Sequence, residues 1–599
     1  MSSKHPKNMS ENCTWFCSID IGTSYSGYAF APRKNLTTKS CFIYGIWEYE
    51  TSSHKIPTTL LFDQNEKFVA FGHAADKKYT KLCEKKENDK WFYFRDFKME
   101  LYNCDVSKDL LIRDIHEKSF KAQQIFVESI RFLRKHFLDK FESRNYDILE
   151  DDVCFILTVP AIWSDAAKQF MKEAAIEAEI SETRLMMAYE PEAAAVFCKR
   201  LTRDLMAAND NPVHFAIQQS YIVVDLGGGT VDITVQKISS TGILHNLYKA
   251  SGGEWGGNKI NKAFMKLLDQ LFGSYTIQKL CEVNMEDFFD LIRKIETAKR
   301  EVTTDETETV KIDIPLSLLE IHSEICKLTG LDCLNKAIED AELQDKIEAK
   351  LGKIFIKNAY FLECFQTICK KTVDLIKPII QNEQQGNKKI TIILVGGFSE
   401  SEVVQSIYKS TFPEHNIKIP FEAGLAVLKG AVIYGFDSRI IDTRICPYTY
   451  GIKLERRFNP SIDNPSKTFM KGDQLYTDDC FDKFFEFDEP LAVGTKRSIE
   501  VHFNHDDENL SCDLTDYKEI EVFSSSEKSP LYTTDPTCRL HGKIRVPPPK
   551  GMWPEKVKGR VEIEVIGVDN FRITYIDDTD SSSASGTIDF LSTYTAVDK

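Results

Sequence analysis

Val224-Asp225-Leu226-Gly227-Gly228-Gly229-Thr230-Val231-Asp232 is the stretch that decides the fold. A short apolar run ends in an aspartate, three glycines turn the chain, and a second run returns. A less glycine-rich copy stands near the start, Ile19-Asp20-Ile21-Gly22-Thr23-Ser24-Tyr25. Glycine permits positive φ and close backbone approach, so several N–H groups can converge on one anion. Threonine hydroxyls add donors, and the carboxylates are hard oxygen ligands suited to Mg2+, directly or through its waters. Two such loops, one in each half, can grip a polyphosphate from both sides. Neither is a Walker loop, since G-x-x-x-x-G-K-[ST] occurs nowhere, and no G-x-G-x-x-G dinucleotide fingerprint is present. The first copy alone reads equally well as a hairpin turn. The glycine triplet between Asp225 and Asp232 argues against that for the second.

Outward from the loops, short apolar runs alternate with helical patterns up to about residue 430. Trp15 to Ile21 and Gly27 to Ala31 read as strands, as do Val153 to Val159, Tyr221 to Asp225, Val231 to Ile238 and Ile390 to Val395. Ser164 is placed to cap a helix over Ala166 to Glu179, with Asp165 in the first turn, where the dipole favours an anion. Phe288 to Val302 and Ile354 to Ile380 read as amphipathic helices. This mixture predicts an α/β fold. After about residue 440 the texture changes. Val561, Ile563 and Val565 alternate with charged residues, and Phe571, Ile573 and Tyr575 repeat the pattern, which predicts a half-buried antiparallel sheet. Ser524-Ser525-Ser526 and Ser581-Ser582-Ser583 mark expected loops.

Lys plus Arg number 76 against 91 Asp plus Glu in 599 residues, a net charge of −15. That balance, with no basic block, lacks the footprint of a nucleic-acid binder. No run approaches the ~20 apolar residues that span a bilayer. Met1 to Asn12 is polar and reads as a disordered tail rather than a secretory signal. The 16 Cys are scattered singly, which suits a reducing compartment. Cytoplasm is the expected location, with nuclear entry open. Cys13 and Cys17 have no partner pair at zinc spacing. Asn12 and Asn35 sit in glycosylation patterns that a cytosolic chain would not use.

The two loops, with Val395-Gly396-Gly397 further on, resemble the actin-like ATPase superfamily, and within it the 70-kDa heat-shock chaperones. The irregularities look most like the divergent heat shock 70 kDa protein 12-like subfamily. The resemblance covers nearly all of the chain, apart from the tail and an extra stretch near Leu316 to Leu351. It implies a tail over 1–14, a two-lobed, ribonuclease H-like nucleotide-binding domain over 15–437, a linker over 438–446 and a smaller β-sandwich over 447–599 without a helical lid.

Residue by residue, the resemblance implies that Asp20, Gly22, Thr23, Ser24 and Tyr25 meet phosphate, Mg2+ and K+. Lys98 matches the lysine that positions the attacking water. Thr158-Val159-Pro160 matches the proline switch, and Glu190 the glutamate that contacts a Mg2+-bound water. Asp225, Gly227, Gly228, Gly229, Thr230 and Asp232 match the second phosphate grip, with Asp20 and Asp225 nearest the metal. Glu296, Lys299 and Arg300 match the helix face that holds adenosine. Their spacing puts all three on one face, which without the family pattern would read as a solvated ion-pair ladder. Gly396, Gly397 and Phe398 complete the base side. The implied chemistry is transfer of a phosphoryl group from ATP to water.

Three departures stand out. Family members carry an arginine against the adenine where this chain has Phe398-Ser399-Glu400, so an anion replaces a stacking cation. Arg439-Ile440-Ile441-Asp442-Thr443-Arg444 replaces a strip of four leucines, and a buried aspartate there is costly unless paired. Weak coupling of nucleotide state to peptide binding is therefore expected. Third, without a lid, peptide bound to the sheet should leave quickly. Pro447 to Ile452 matches the first strand of the peptide-binding sheet, and Gly542 to Gly551 its proline turn.

Two functions follow: an ATP-binding, chaperone-like protein with slow ATPase activity, or a nucleotide-regulated or nucleotide-blind scaffold that has lost the cycle. Partners implied are ATP, extended apolar peptides or client proteins, and co-chaperones or signalling proteins. A small-molecule kinase of the same superfamily is disfavoured by the β unit and its proline turn.

Overall fold

The computed structural model describes residues 13–34, 36, 41–43, 54–102, 104–142, 149–200, 219–350, 352–383, 389–504, 515, 518–546, 548, 551–553, 556–567, 571–578, 583–587, 590 and 591. The tail over Met1 to Asn12, Asn35, most of the proline turn (Pro547, Pro549, Lys550) and Ser581-Ser582 lie outside the described residues. The chain divides into two compact units. One comprises Met1–Asp105, Asp109–Thr234 and Ala250–Ser438; the other comprises Val106–Lys108, Val235–Lys249 and Arg439–Lys599.

In the first unit, β1 (Trp15–Asp20) pairs antiparallel with β2 (Tyr25–Pro32) and parallel with β3 (Val153–Val159). Every residue of β3 is buried, as its run, apolar but for Thr158, requires of a strand covered on both faces. Next comes helix α1 (Asp165–Glu177), whose first turn is closed by Ser164 Oγ accepting from the Ala167 N–H at 3.2 Å. It stops two residues short of the expected Glu179, which takes up φ +71°. Strand β4 (Leu185–Tyr189) pairs in parallel with β3 and runs directly into α2 (Glu190–Arg200).

A second sheet carries β5 (Ser220–Leu226) next to β6 (Val231–Ile238). Beyond them are α3 (Asn258–Phe272), α4 (Met285–Glu301), the helix pair α5 (Leu316–Cys326) and α6 (Gly330–Asp340), strand β7 (Lys353–Lys357) and the long α7 (Ala359–Glu383). Strand β8 (Thr391–Val395) lies parallel to β5, and α8 (Ala426–Phe436), apolar but for Lys429, is buried along nearly its full length. The helix expected over Ile354 to Ile380 is therefore a strand followed by a helix. Ile354 and Ile356 alternate inward, and β7 is hydrogen-bonded on both sides, to Thr309–Asp313 and Ile347–Lys350. Two inward isoleucines two residues apart satisfy a strand, and the sheet pairing overrides helical propensity.

In the second unit, the last residues of β6 pair with Leu244–Asn246, which pairs in parallel with β9 (Ile441–Ile445). The segment expected as a linker thus holds a paired strand after one turn at Ser438–Ile440. Asp442 stands 2.7 Å from His245 Nδ1 and also accepts from the Thr443 hydroxyl. Two antiparallel sheets follow. One sets β10 (Thr449–Arg457) between β11 (Gln474–Phe485) and β13 (Lys518–Ser525), with β14 (Cys538–Val546) outside β13; the other orders β12 (Lys496–Asn504), β15 (Lys556–Val565) and β16 (Phe571–Asp577). Tyr450, Ile452 and Phe485 from the first share one core with Val501, Val561, Ile563, Phe571, Ile573 and Tyr575 from the second. Ser524 and Ser525, expected in a loop, are buried ends of β13. Their backbones pair with Thr449, Tyr450, Cys538 and Arg539, and the Ser525 hydroxyl bonds that of Thr537. Among the described residues no helix is long and apolar enough to cross a membrane.

Candidate functional site

The first loop is pinned from three directions. Asp20 ends β1, where Lys55 Nζ donates to its Oδ2 at 2.7 Å and the Thr158 hydroxyl donates to its Oδ1 at 3.0 Å. Thr58 Oγ1 donates to the Gly22 carbonyl at 2.8 Å, and the Thr58 N–H donates to the Ser24 carbonyl at 2.9 Å. Burial works against a charged Asp20, but Lys55 and Lys98 outweigh it and hold this carboxyl below its ordinary range. Tyr25 opens β2 and is half-buried.

In the second loop, the Gly227 N–H closes the turn on the Thr230 carbonyl at 3.0 Å. The carbonyls of Gly227, Gly228 and Gly229 accept from the N–H groups of Gly257, Asn258 and Gly256 at 2.8–3.1 Å. That ties the acceptors of the loop to the start of α3. The loops meet closely. A Cβ at Gly229 would stand 2.4 Å from Thr23 Oγ1 and 2.5 Å from the Met99 sulfur, so only glycine fits. Ser24 Oγ donates to Asn258 Oδ1 at 2.9 Å. The third motif joins them: Gly396 takes φ +83°, and a side chain there would meet Asp225 Oδ1 at 2.4 Å.

Lys98 lies in a single helical turn, Phe97–Leu101, and is buried rather than on the surface. Its Nζ is 2.7 Å from Glu190 Oε1, at the first residue of α2. Burial disfavours the ammonium, but Glu190 and Asp20 outweigh it and raise Lys98 above its ordinary value. Glu190 is pushed up to about 7, first by burial and then by repulsion from Asp20 and Asp232, with Lys98 opposing. Asp232 is raised to about 6 by burial, against the Ile162 and Ala161 amides, Lys98 and the Thr230 hydroxyl. Asp225 is raised well above its ordinary value, by burial and by Glu190, Asp232 and Asp20. Four buried carboxylates thus face two ammonium groups, those of Lys55 and Lys98.

On α4, Glu296 pairs with Lys299 at 2.6 Å and Arg300 at 3.3 Å and accepts from Asn261 Nδ2 at 2.9 Å. Lys299 and Phe398 converge on Gly257: a Cβ there would be 3.4 Å from Lys299 Nζ and 3.2 Å from the Phe398 ring. Arg300 stays exposed. Phe398 is buried and stacks on Phe365, with centroids 5.8 Å apart, while Gly397 is open. Glu400 is exposed and accepts from the Gly424 N–H at 3.3 Å. The structure adds Lys55, Gly256, Gly257 and Asn258, which the sequence reading passed over. A Gly-Gly-Asn run directly before an amphipathic helix was the available signal for the last three.

Two glycine loops, a buried lysine–glutamate pair and a third glycine turn, all carried on two mixed α/β sheets, define a protein of the Hsp70 class. The Hsp70 protein family model matches residues 17–325, just over half of the chain, and the chain belongs to that family. This makes it a nucleotide-binding, chaperone-like protein of a family that takes ATP or ADP with Mg2+. It is similar to heat shock 70 kDa protein 12A of Mus musculus, 29% identical over 96% of this chain and 91% of that protein, and to heat shock 70 kDa protein 12B of Homo sapiens, 27% identical over 96% and 90%. The chaperone protein dnaK of Cyanidium caldarium is 26% identical over 66% of this chain and 55% of its own length.

Proposed function

We propose that this chain binds ATP between its two loops, hydrolyses it slowly, and acts as a chaperone-like protein whose β unit takes extended apolar peptides. The buried Lys98–Glu190 pair beside Asp20 and Asp232 is the observation that carries this reading. A lysine and a glutamate at the meeting of two glycine loops are placed to orient a water molecule and to offset charge on a terminal phosphate. Glu190, raised to about 7, is poised to exchange a proton near neutral pH. The loop carbonyls are held by α3, which leaves the Gly228, Gly229 and Thr230 amides to face phosphate oxygens.

The excess of buried carboxylate fits a divalent cation of hard oxygen preference. Asp20, Asp225 and Asp232 would hold Mg2+, directly or through water, and the ion would neutralise phosphate charge. A K+ beside Thr23 and Tyr25 belongs to the same reading. Lys299 and Glu296 hold the nucleoside side. Phe398 is committed to Phe365, so selectivity for adenine is expected to be low.

The scaffold reading is favoured by one feature, the paired strand at 441–445. Asp442 is matched there by His245, in the place where the resemblance implies a strip of leucines. Calorimetry of Mg-ATP binding to the full chain, with a phosphate-release assay, separates the two. Asp225→Ala is expected to abolish binding, and Lys98→Ala to lower turnover by about 100-fold or more while retaining binding. No binding by the unaltered protein at millimolar ATP would sink the ATPase reading and leave the scaffold.

A further inference from the structure

Outside the nucleotide site, α5 and α6 bring a second set of ligand side chains together. His322 and Cys326 stand four residues apart on one face of α5. Lys327 turns the chain in the left-handed region at φ +59°, Gly330 follows at φ +57°, and α6 begins. Cys333 falls in the first turn of α6 and is fully buried, while His322 and Cys326 are half-buried. The ligand atoms of the three lie within 4.8 Å of one another. Cys326 Sγ and Cys333 Sγ are 3.3 Å apart, and both are free thiols.

The histidine supplies an independent observation. Its Nδ1 is buried and has no hydrogen-bond partner. The ring itself packs edge-on to Phe272, with ring centroids 5.3 Å apart. A buried, unsatisfied ring nitrogen costs free energy unless something takes its lone pair. A metal ion does so, and neutral imidazole is a common metal ligand.

We propose that His322, Cys326 and Cys333 bind one zinc ion, with water as the fourth ligand, and that the ion fastens α5 to α6. Two sulfurs and one nitrogen form a soft donor set, which selects zinc over the hard cation of the nucleotide site. Two Zn–S bonds of about 2.3 Å at a tetrahedral angle set the sulfurs roughly 3.8 Å apart, so a shift of a few tenths of an ångström from 3.3 Å suffices. Zinc binding displaces one proton from each thiol, two in all, and the two thiolates cancel the charge of the ion.

The test uses the full chain, reduced, stripped with chelator and reloaded with one equivalent of Zn2+, or with Co2+ as a spectroscopic probe. About one zinc per chain should survive gel filtration, and Co2+ should give a thiolate charge-transfer band. Cys326→Ser and His322→Ala, both half-buried and so mild for folding, should each weaken zinc retention at least tenfold, as should Cys333→Ser. Cys104→Ser, at an exposed cysteine elsewhere, should change nothing. His322→Cys should keep the metal. Zinc retention equal in all variants, no retention by the unaltered chain, or a Cys326–Cys333 disulfide under reducing conditions would each overturn the proposal.

Discussion

Asp20 and Asp225 occupy the same place in two copies of one motif, each at the end of a strand before a small-residue turn, but their surroundings pull in opposite directions. Asp20 is met by Lys55 at 2.7 Å and by the Thr158 hydroxyl, and its carboxyl is held low. Asp225 is buried among Glu190, Asp232 and Asp20, with Lys55 as the opposing charge, and its carboxyl is driven well up. The first loop carries its own counter-cation. In the second, like charge outweighs the opposing Lys55. A repeated motif therefore does not make a repeated site, because the residues that set the field come from elsewhere in the chain.

The sharpest way to break this arrangement is to separate the loops. Gly229→Ala puts a methyl group 2.4 Å from Thr23 Oγ1. Overpacking of that kind costs about 1–3 kcal/mol, so Mg-ATP affinity should fall about tenfold to 100-fold by calorimetry. The equivalent neutralisations should then differ in sign. Asp20→Asn removes a charged partner of the partly buried Lys55 and should destabilise the ligand-free protein by about 2 kcal/mol in denaturant titration. Asp225→Asn removes a charge that burial and repulsion disfavour, so it should raise the melting temperature while weakening Mg-ATP binding. A fall in melting temperature for both variants would erase the contrast.

The pH dependence sharpens the same point. Glu190 at about 7 and Asp232 at about 6 are raised above their unfolded values near 4. Between those limits the folded chain binds more protons than the unfolded one, so stability is greatest below about pH 4 for these groups and is lost as pH rises through 6 and 7. Asp20, held low, contributes in the other direction, with stability present above its unfolded value and lost in acid. Melting curves of the ligand-free protein from pH 5 to 8 should show the fall, and saturating Mg-ATP should flatten it. The smallest expected effect is that of Glu400→Arg. Glu400 is exposed and, among the described residues, accepts from the Gly424 N–H, so stability should move by less than about 0.5 kcal/mol. ATP affinity should rise a few-fold if the added cation reaches the base.

The sequence made the turns of the candidate site legible because glycine and aspartate declare them locally. Asp20, Asp225 and the Gly396 turn could be read from a few residues each. Lys98 was legible only through family pattern, since nothing in Arg95-Asp96-Phe97-Lys98 announces a buried ammonium. Lys55 was not legible at all: its partner lies 35 residues away, and only the fold joins them. The same limit explains Ile354 and Ser524. Short runs carry too little period to choose between helix, strand and loop, and hydrogen-bonded neighbours from distant segments made the choice.

Helix α3 has a role that neither end reveals alone. The residues at its start hold the carbonyls of Gly227, Gly228 and Gly229, and its last residue, Phe272, packs edge-on against the ring of His322. Its 15 residues form a rod about 22 Å long. Helices are stiff along their axis, so this rod is a ruler between the phosphate loop and the α5–α6 pair. The position of the glycine loop is thereby linked, through one rigid element, to the position of His322.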